Sequence, residues 1–158
     1  MNDGGPAPDG ITPVEGWRMW RIQPRGKWWW PYPPLLTSPY MGTVWSPRYR
    51  LQATHVERWI CEEVPKGPYP CDDRLCLCGI HAWREAQSLW EHAQNLIRER
   101  GRWVCGTVNL WGRVVVGEIG YRAQYAVPTR LWCIPGMDAR LTERAAALYD
   151  IPWGEKKL

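Results

Sequence analysis

Phenylalanine is missing from this 158-residue chain, histidine occurs three times, and no acidic residue lies between Gly16 and Val56. Without phenylalanine, the aromatic part of any core must be built from 13 Trp and 7 Tyr. Each of those rings carries a polar group that needs a partner or water. No apolar run reaches the roughly 18 residues of a membrane-spanning helix. The opening MNDGGPAPDG has neither a basic stretch nor an apolar core of the secretory kind. A cytoplasmic location is therefore expected, and there six cysteines point to thiols or metal ligands rather than to three disulfides. Catalytic signatures are missing too: no glycine-rich phosphate cradle, no H-E-x-x-H, no G-x-S-x-G and no close carboxylate pair. The one chemistry on offer is a cysteine nucleophile with His81 or His92 as base. The chain therefore reads as non-catalytic, with a thiol-dependent enzyme as an alternative.

What is present is one domain's worth of chain with 45% hydrophobic residues. Residues 1–15, rich in Gly, Pro and Asp, are expected to be a flexible tail, and residues 16–158 a single domain. The net charge of +4 is concentrated early, in Arg18, Arg21, Arg25, Lys27, Arg48 and Arg50. These cations alternate with Trp17, Trp20, Trp28, Trp29, Trp30, Trp45, Tyr32, Tyr40 and Tyr49. Two arrangements fit this pattern. Cations can neutralise phosphates while exposed rings stack on unpaired bases. Alternatively the rings are core, with guanidinium groups lying over their faces. Residues 28–36, WWWPYPPLL, read as an extended arm, because proline cannot donate to a ladder and pushes its predecessor into extended backbone. Three adjacent indoles cannot all face one core, so Trp28, Trp29, Trp30 and Tyr32 are expected to meet a protein partner.

Four cysteines, Cys61, Cys71, Cys76 and Cys78, follow the spacing C-x9-C-x4-C-x-C. Four thiolates at such range can close a tetrahedral structural zinc site, with His55 or His81 as alternate ligands. Such a knuckle over 61–78 would pin the proline-punctuated loop before the first helix. Buried unliganded thiols and disulfides are the competing readings.

From Gly79 onward, Ala82, Ala86, Leu89, Trp90, Ala93, Leu96 and Ile97 recur at three- and four-residue spacing. That periodicity predicts an amphipathic helix of about five turns, ended by Gly101. Next come strand-like runs around Val104–Leu110, VVV and YRAQYAV, punctuated by Gly112, Gly117 and Gly120 and closed by Pro128. They predict an antiparallel meander. MDARLTERAAALYDI predicts a short C-terminal helix. Glu118 and Arg122 flank the GEIG turn, where an ion pair would brace it. The expected class is thus α+β: an antiparallel sheet, one long amphipathic helix, a short C-terminal helix and a Cys-rich knuckle.

The blocks CLCGIHA, VNLWGRVVVGEIGYRAQYAVP and YDIP resemble those of a family of small uncharacterised proteins of actinobacteria and their phages. The likeness would span Trp17 to Pro152. It implies a phage or mobile-element origin and carries no activity with it. Together these readings predict a zinc-stabilised regulatory protein whose partner is a host or phage protein, with a nucleic acid as the alternative.

Overall fold

The computed structural model describes residues 9–23, 34–53, 78–97 and 102–155, together with Ala7 and Pro70. The architecture is mostly β. Among the described residues there are seven strands: β1 (Val14–Gln23), β2 (Leu35–Thr37), β3 (Leu51–Gln52), β4 (Ile80–Trp83), β5 (Trp103–Val116), β6 (Gly120–Cys133) and β7 (Trp153–Glu155). Two short helices join them, α1 (Ala86–Ile97) and α2 (Ala139–Tyr149). This corrects the expected α+β class: there is no long amphipathic helix, and no cysteine knuckle is found among the described residues.

The helix is shorter because Ile80–Trp83 is a strand. Ile80 and Ala82 suit both periodicities, and a sheet ladder claims them. They pair with Ala123 and Tyr121, which buries both side chains and leaves His81 and Trp83 on the opposite face. The run WRMWRI lies inside the sheet. β1 pairs with β2, β4 and β5, and since both its faces are covered its sequence lacks a polar alternation. Nor does Pro128 end the last ladder. β6 runs on through it because a bulge skips Thr129, whose hydroxyl meets Thr107 Oγ1 at 2.7 Å.

The ladders β1·β5, β5·β6, β6·β4 and β4·β1 form a closed circuit, so the sheet is a small barrel. Closure needs curvature. A second bulge supplies it at Gly112–Arg113, where Gly112 takes φ +74° and Gln124 Oε1 accepts the Arg113 N–H at 3.2 Å. The β1–β4 seam is a single bridge, Trp17 to Trp83. Gly16 allows this approach, since a Cβ there would lie 2.8 Å from Ala82 Cβ.

Each face of β1 builds its own core. Inward, Trp20 and Ile22 join Leu36, Trp45, Val104, Val108, Leu110 and Leu131. α2 covers this interior with Ala145, Ala146 and Tyr149. It is capped by Asp138, which accepts from the N–H groups of Arg140 and Leu141, and stopped by Asp150 in the left-handed region. Outward, Met19 joins Leu89 and Ala93 of α1, with Trp103, Cys105 and Ile134.

Candidate binding groove

Outward-facing residues of the barrel's lower end form a groove of about 740 Å³. Its rows follow from strand register. His81, Arg122 and Val115 stand side by side on β4, β6 and β5. Two residues along, on the same face, Trp83 stands beside Gly120. Gly120 keeps the floor open and is required there, because a Cβ would sit 2.2 Å from the Ala82 carbonyl oxygen. The β5–β6 turn, Gly117–Ile119, forms one wall. α1 supplies the other through His92, whose ring lies 5.2 Å from that of Trp83 at 42°. Tyr40 hydroxyl hydrogen-bonds His92 Nε2 and fixes the imidazole at the groove's edge. Arg84 holds the turn: its N–H donates to Ile119 O at 3.0 Å, its guanidinium to Gly117 O at 2.9 Å.

The rim is apolar and open. Val116 and Ile119 are 63 and 69% exposed, and Tyr40, 64% exposed, meets the groove's edge at His92. Single exposed apolar residues are ordinary, whereas several around one hollow are the usual sign of a contact surface.

Glu118 and Arg122 both line this groove. Arg122 donates to the Cys78 carbonyl at 3.5 Å, and Glu118 lies exposed in the turn. The cations of the N-terminal third are largely turned onto rings. Arg18 lies on the inner face of β1, over Trp45 at 5.0 Å, and donates to the His81 carbonyl and to Ser38 Oγ. It therefore supplies a donor where β1 and β4 splay apart beyond their single bridge. Burial lowers its guanidinium to about 10. Arg21 lies over Trp103 at 4.8 Å and Arg50 over Tyr125 at 4.6 Å. Arg48 is exposed, in a left-handed turn conformation. Arg25, Lys27, Trp28, Trp29, Trp30 and Tyr32 lie outside the described residues.

The zinc expectation is overturned. Among the described residues no group of three or more His, Cys, Asp or Glu side chains is placed to hold a metal ion. Cys78 is buried where β4 begins, and His81 projects from β4 into the groove. Cys61, Cys71, Cys76 and His55 lie outside the described residues. The described thiols also offer little to a cysteine enzyme. Cys78, Cys105 and Cys133 are buried, the Cys105 thiol donates to the Trp132 carbonyl, and that of Cys133 to Ile134 and Met137. A reactive thiol is instead exposed, in surroundings that favour its thiolate.

Sequence reasoning passed over Trp83, Val116 and Ile119, and read Tyr40 only as one ring of the basic aromatic segment. Trp83 was hidden inside an apparent helical period, although HAW after a glycine also fits a strand with one aromatic face. Tyr40 and His92 are distant in sequence, and no local pattern joins them. No described helix is long and apolar enough to cross a membrane. Comparison with known proteins adds no assignment: no family model, no curated protein and no solved structure matches this chain.

Proposed function

We propose that the protein is a non-catalytic binding module that engages a protein partner through the aromatic groove at the lower end of the barrel. The observation that carries this reading is exposed Val116 and Ile119, with Tyr40 bonded to His92, around a hollow floored by Gly120 and walled by Trp83 and His92. Such a hollow accepts an apolar anchor side chain, and its polar groups, His81, Glu118 and Arg122, fix orientation at the edge. The likeness to phage-borne families would place the partner in host or phage machinery and the role as regulatory. A nucleic-acid reading gains less, because Arg18, Arg21 and Arg50 already lie over rings of the protein itself.

The test is a peptide-display selection on the intact chain. Selected peptides should share a large apolar anchor, lose binding to Trp83→Ala and hold their affinity as salt rises. Failure to select such a motif, or binding unchanged by Trp83→Ala, overturns the reading. Steeply salt-dependent binding of a single-stranded oligonucleotide would move the assignment to nucleic acid.

A further inference from the structure

β5 is paired by β6 on one side along its length, but on the other side β1 accompanies it only from Trp103 to Leu110. Beyond Leu110, as far as Val116, that second edge has no strand beside it among the described residues. The direction of its backbone groups follows from the turn. Gly117 N–H donates to the Gly120 carbonyl at 2.8 Å. Antiparallel ladders alternate hydrogen-bonded and non-hydrogen-bonded pairs. Val116 with Tyr121 is then a non-hydrogen-bonded pair, Val115 with Arg122 a hydrogen-bonded one, and Val114 with Ala123 non-hydrogen-bonded. Val114 and Val116 therefore aim their N–H and C=O groups out of the sheet's edge.

We propose that this edge pairs with the same edge of a second copy, antiparallel about a two-fold axis at Val115. The spacing of the outward groups makes the edge self-complementary. Val114 meets Val116 of the partner subunit as a hydrogen-bonded pair, Val116 meets Val114 of the partner subunit, and Val115 packs on its own symmetry mate. All the positions are β-branched, which suits close cross-strand packing. Charge agrees as well: in this register Arg113 stands opposite Gly117 of the partner subunit and beside its Glu118.

Three features favour a second copy as the occupant. Monomeric sheets protect an open edge with lysine, proline, an inward charge or a bulge, and past the bulge at Gly112–Arg113 the run Val114–Val116 carries no such residue. Val116 and Ile119 are among the most exposed large apolar residues described, and the pairing covers them. The Gly112–Arg113 bulge and the Gly117–Ile119 turn end the edge on either side, so the contact is isologous and closes at two chains. The pairing and the groove both draw on Val116 and Ile119, so the dimer is read first without added peptide.

Sedimentation equilibrium on the intact chain should give twice its 18.4 kDa mass, with dissociation on dilution. Val116→Lys sets an ammonium against the facing edge and should raise the dissociation constant about tenfold or more with unchanged circular dichroism. Val116→Pro removes an outward N–H and should do the same. The Val114 amide should exchange slowly in the wild-type dimer and quickly in Val116→Lys. Trp153→Lys, an equally drastic change on β7, should leave the dimer intact. A chain that is monomeric at every concentration, or a dimer that survives both Val116 substitutions, overturns the proposal. So does a dimer lost only in Trp153→Lys, or a monomer whose Val114 amide is protected only by an added peptide.

Discussion

The two cores share one strand, β1, and close in different ways. On the inner side, under α2, several polar groups are drawn in and given partners, while Trp20 Nε1 is buried without a hydrogen-bond partner. Tyr149 hydroxyl accepts from the Leu36 N–H at 3.0 Å and donates to the Trp45 carbonyl. Trp45 Nε1 donates to Ser38 Oγ at 3.1 Å, the same oxygen that accepts from Arg18 at 3.0 Å. These bonds tie β1, β2, the loop after it and α2 into one unit. On the outer side, under α1, the core is a smaller apolar cluster whose margin of Trp83 and Trp90 is only half-buried and merges into the groove. A cross-linked interior supports stability, and a half-buried margin leaves surface for binding. A protein without phenylalanine needs both solutions, because every aromatic ring it buries brings a polar group along.

The comparison can be broken most forcefully at its centre. Trp45 is fully buried, stacked edge-on to Trp20 at 5.5 Å and covered by Arg18. Trp45→Ala should cost about 3–5 kcal/mol in denaturant unfolding, and Leu89→Ala on the outer side about 2 kcal/mol, because α1 can settle into the space. Equal losses would show that the two cores are alike.

Next in size is Arg18→Met, which keeps the apolar stem and removes the donors to His81 O and Ser38 Oγ. It should cost about 1–3 kcal/mol by leaving those acceptors unpaired, measured as a lowered urea midpoint at unchanged slope. No loss would mean that the guanidinium serves some other purpose than holding the β1–β4 seam.

Tyr149→Phe should cost about 1–2 kcal/mol at neutral pH through the orphaned Leu36 N–H. Its signature is the pH dependence. Burial pushes the Tyr149 phenol up to about 12, from 10 in an unstructured chain. The stability it lends is whole below pH 10 and is lost as pH climbs to about 12, since the unfolded state ionises first. Arg18 works the other way: its guanidinium, lowered to about 10, sheds a proton that the unfolded chain keeps, so its contribution rises over the same window. Comparing wild type with Tyr149→Phe isolates the phenol. The variant should lack the tyrosinate absorbance step near pH 12.

The smallest stability effects belong to the groove. His92→Ala removes an exposed ring that bonds Tyr40 and packs on Trp83, and should change stability by about 0.5 kcal/mol or less while weakening peptide binding. A large loss of stability there would turn the groove into a third structural region and undo the contrast.

Much of the β5–β6 hairpin was legible because its cause is local. Alternation around Val104–Leu110 and the glycines at 117 and 120 mark two strands and a turn whatever surrounds them. β4 was not legible: Ile80 and Ala82 fit a helix and a strand equally, and the choice falls to the neighbouring edge of β6. The cysteine spacing misled for a different reason: separation along the chain does not say which thiol is buried, and Cys78 is. For the groove, the GEIG turn with Glu118 and Arg122 drew notice as a local motif, but its wall of Trp83, His92 and Tyr40 comes from three separate elements.

Composition alone therefore established that the aromatic core would be built from Trp and Tyr and would need polar partners, because those side chains permit nothing else. Local pattern established the hairpin and the closing helix, because backbone preference and turn chemistry act over a few residues. Which guanidinium turns inward, which faces of β1 become two cores, and which rings meet around Gly120 were settled by the closing of the barrel. Such contacts join residues far apart in sequence, and only ladder register and the geometry of the seam bring them together.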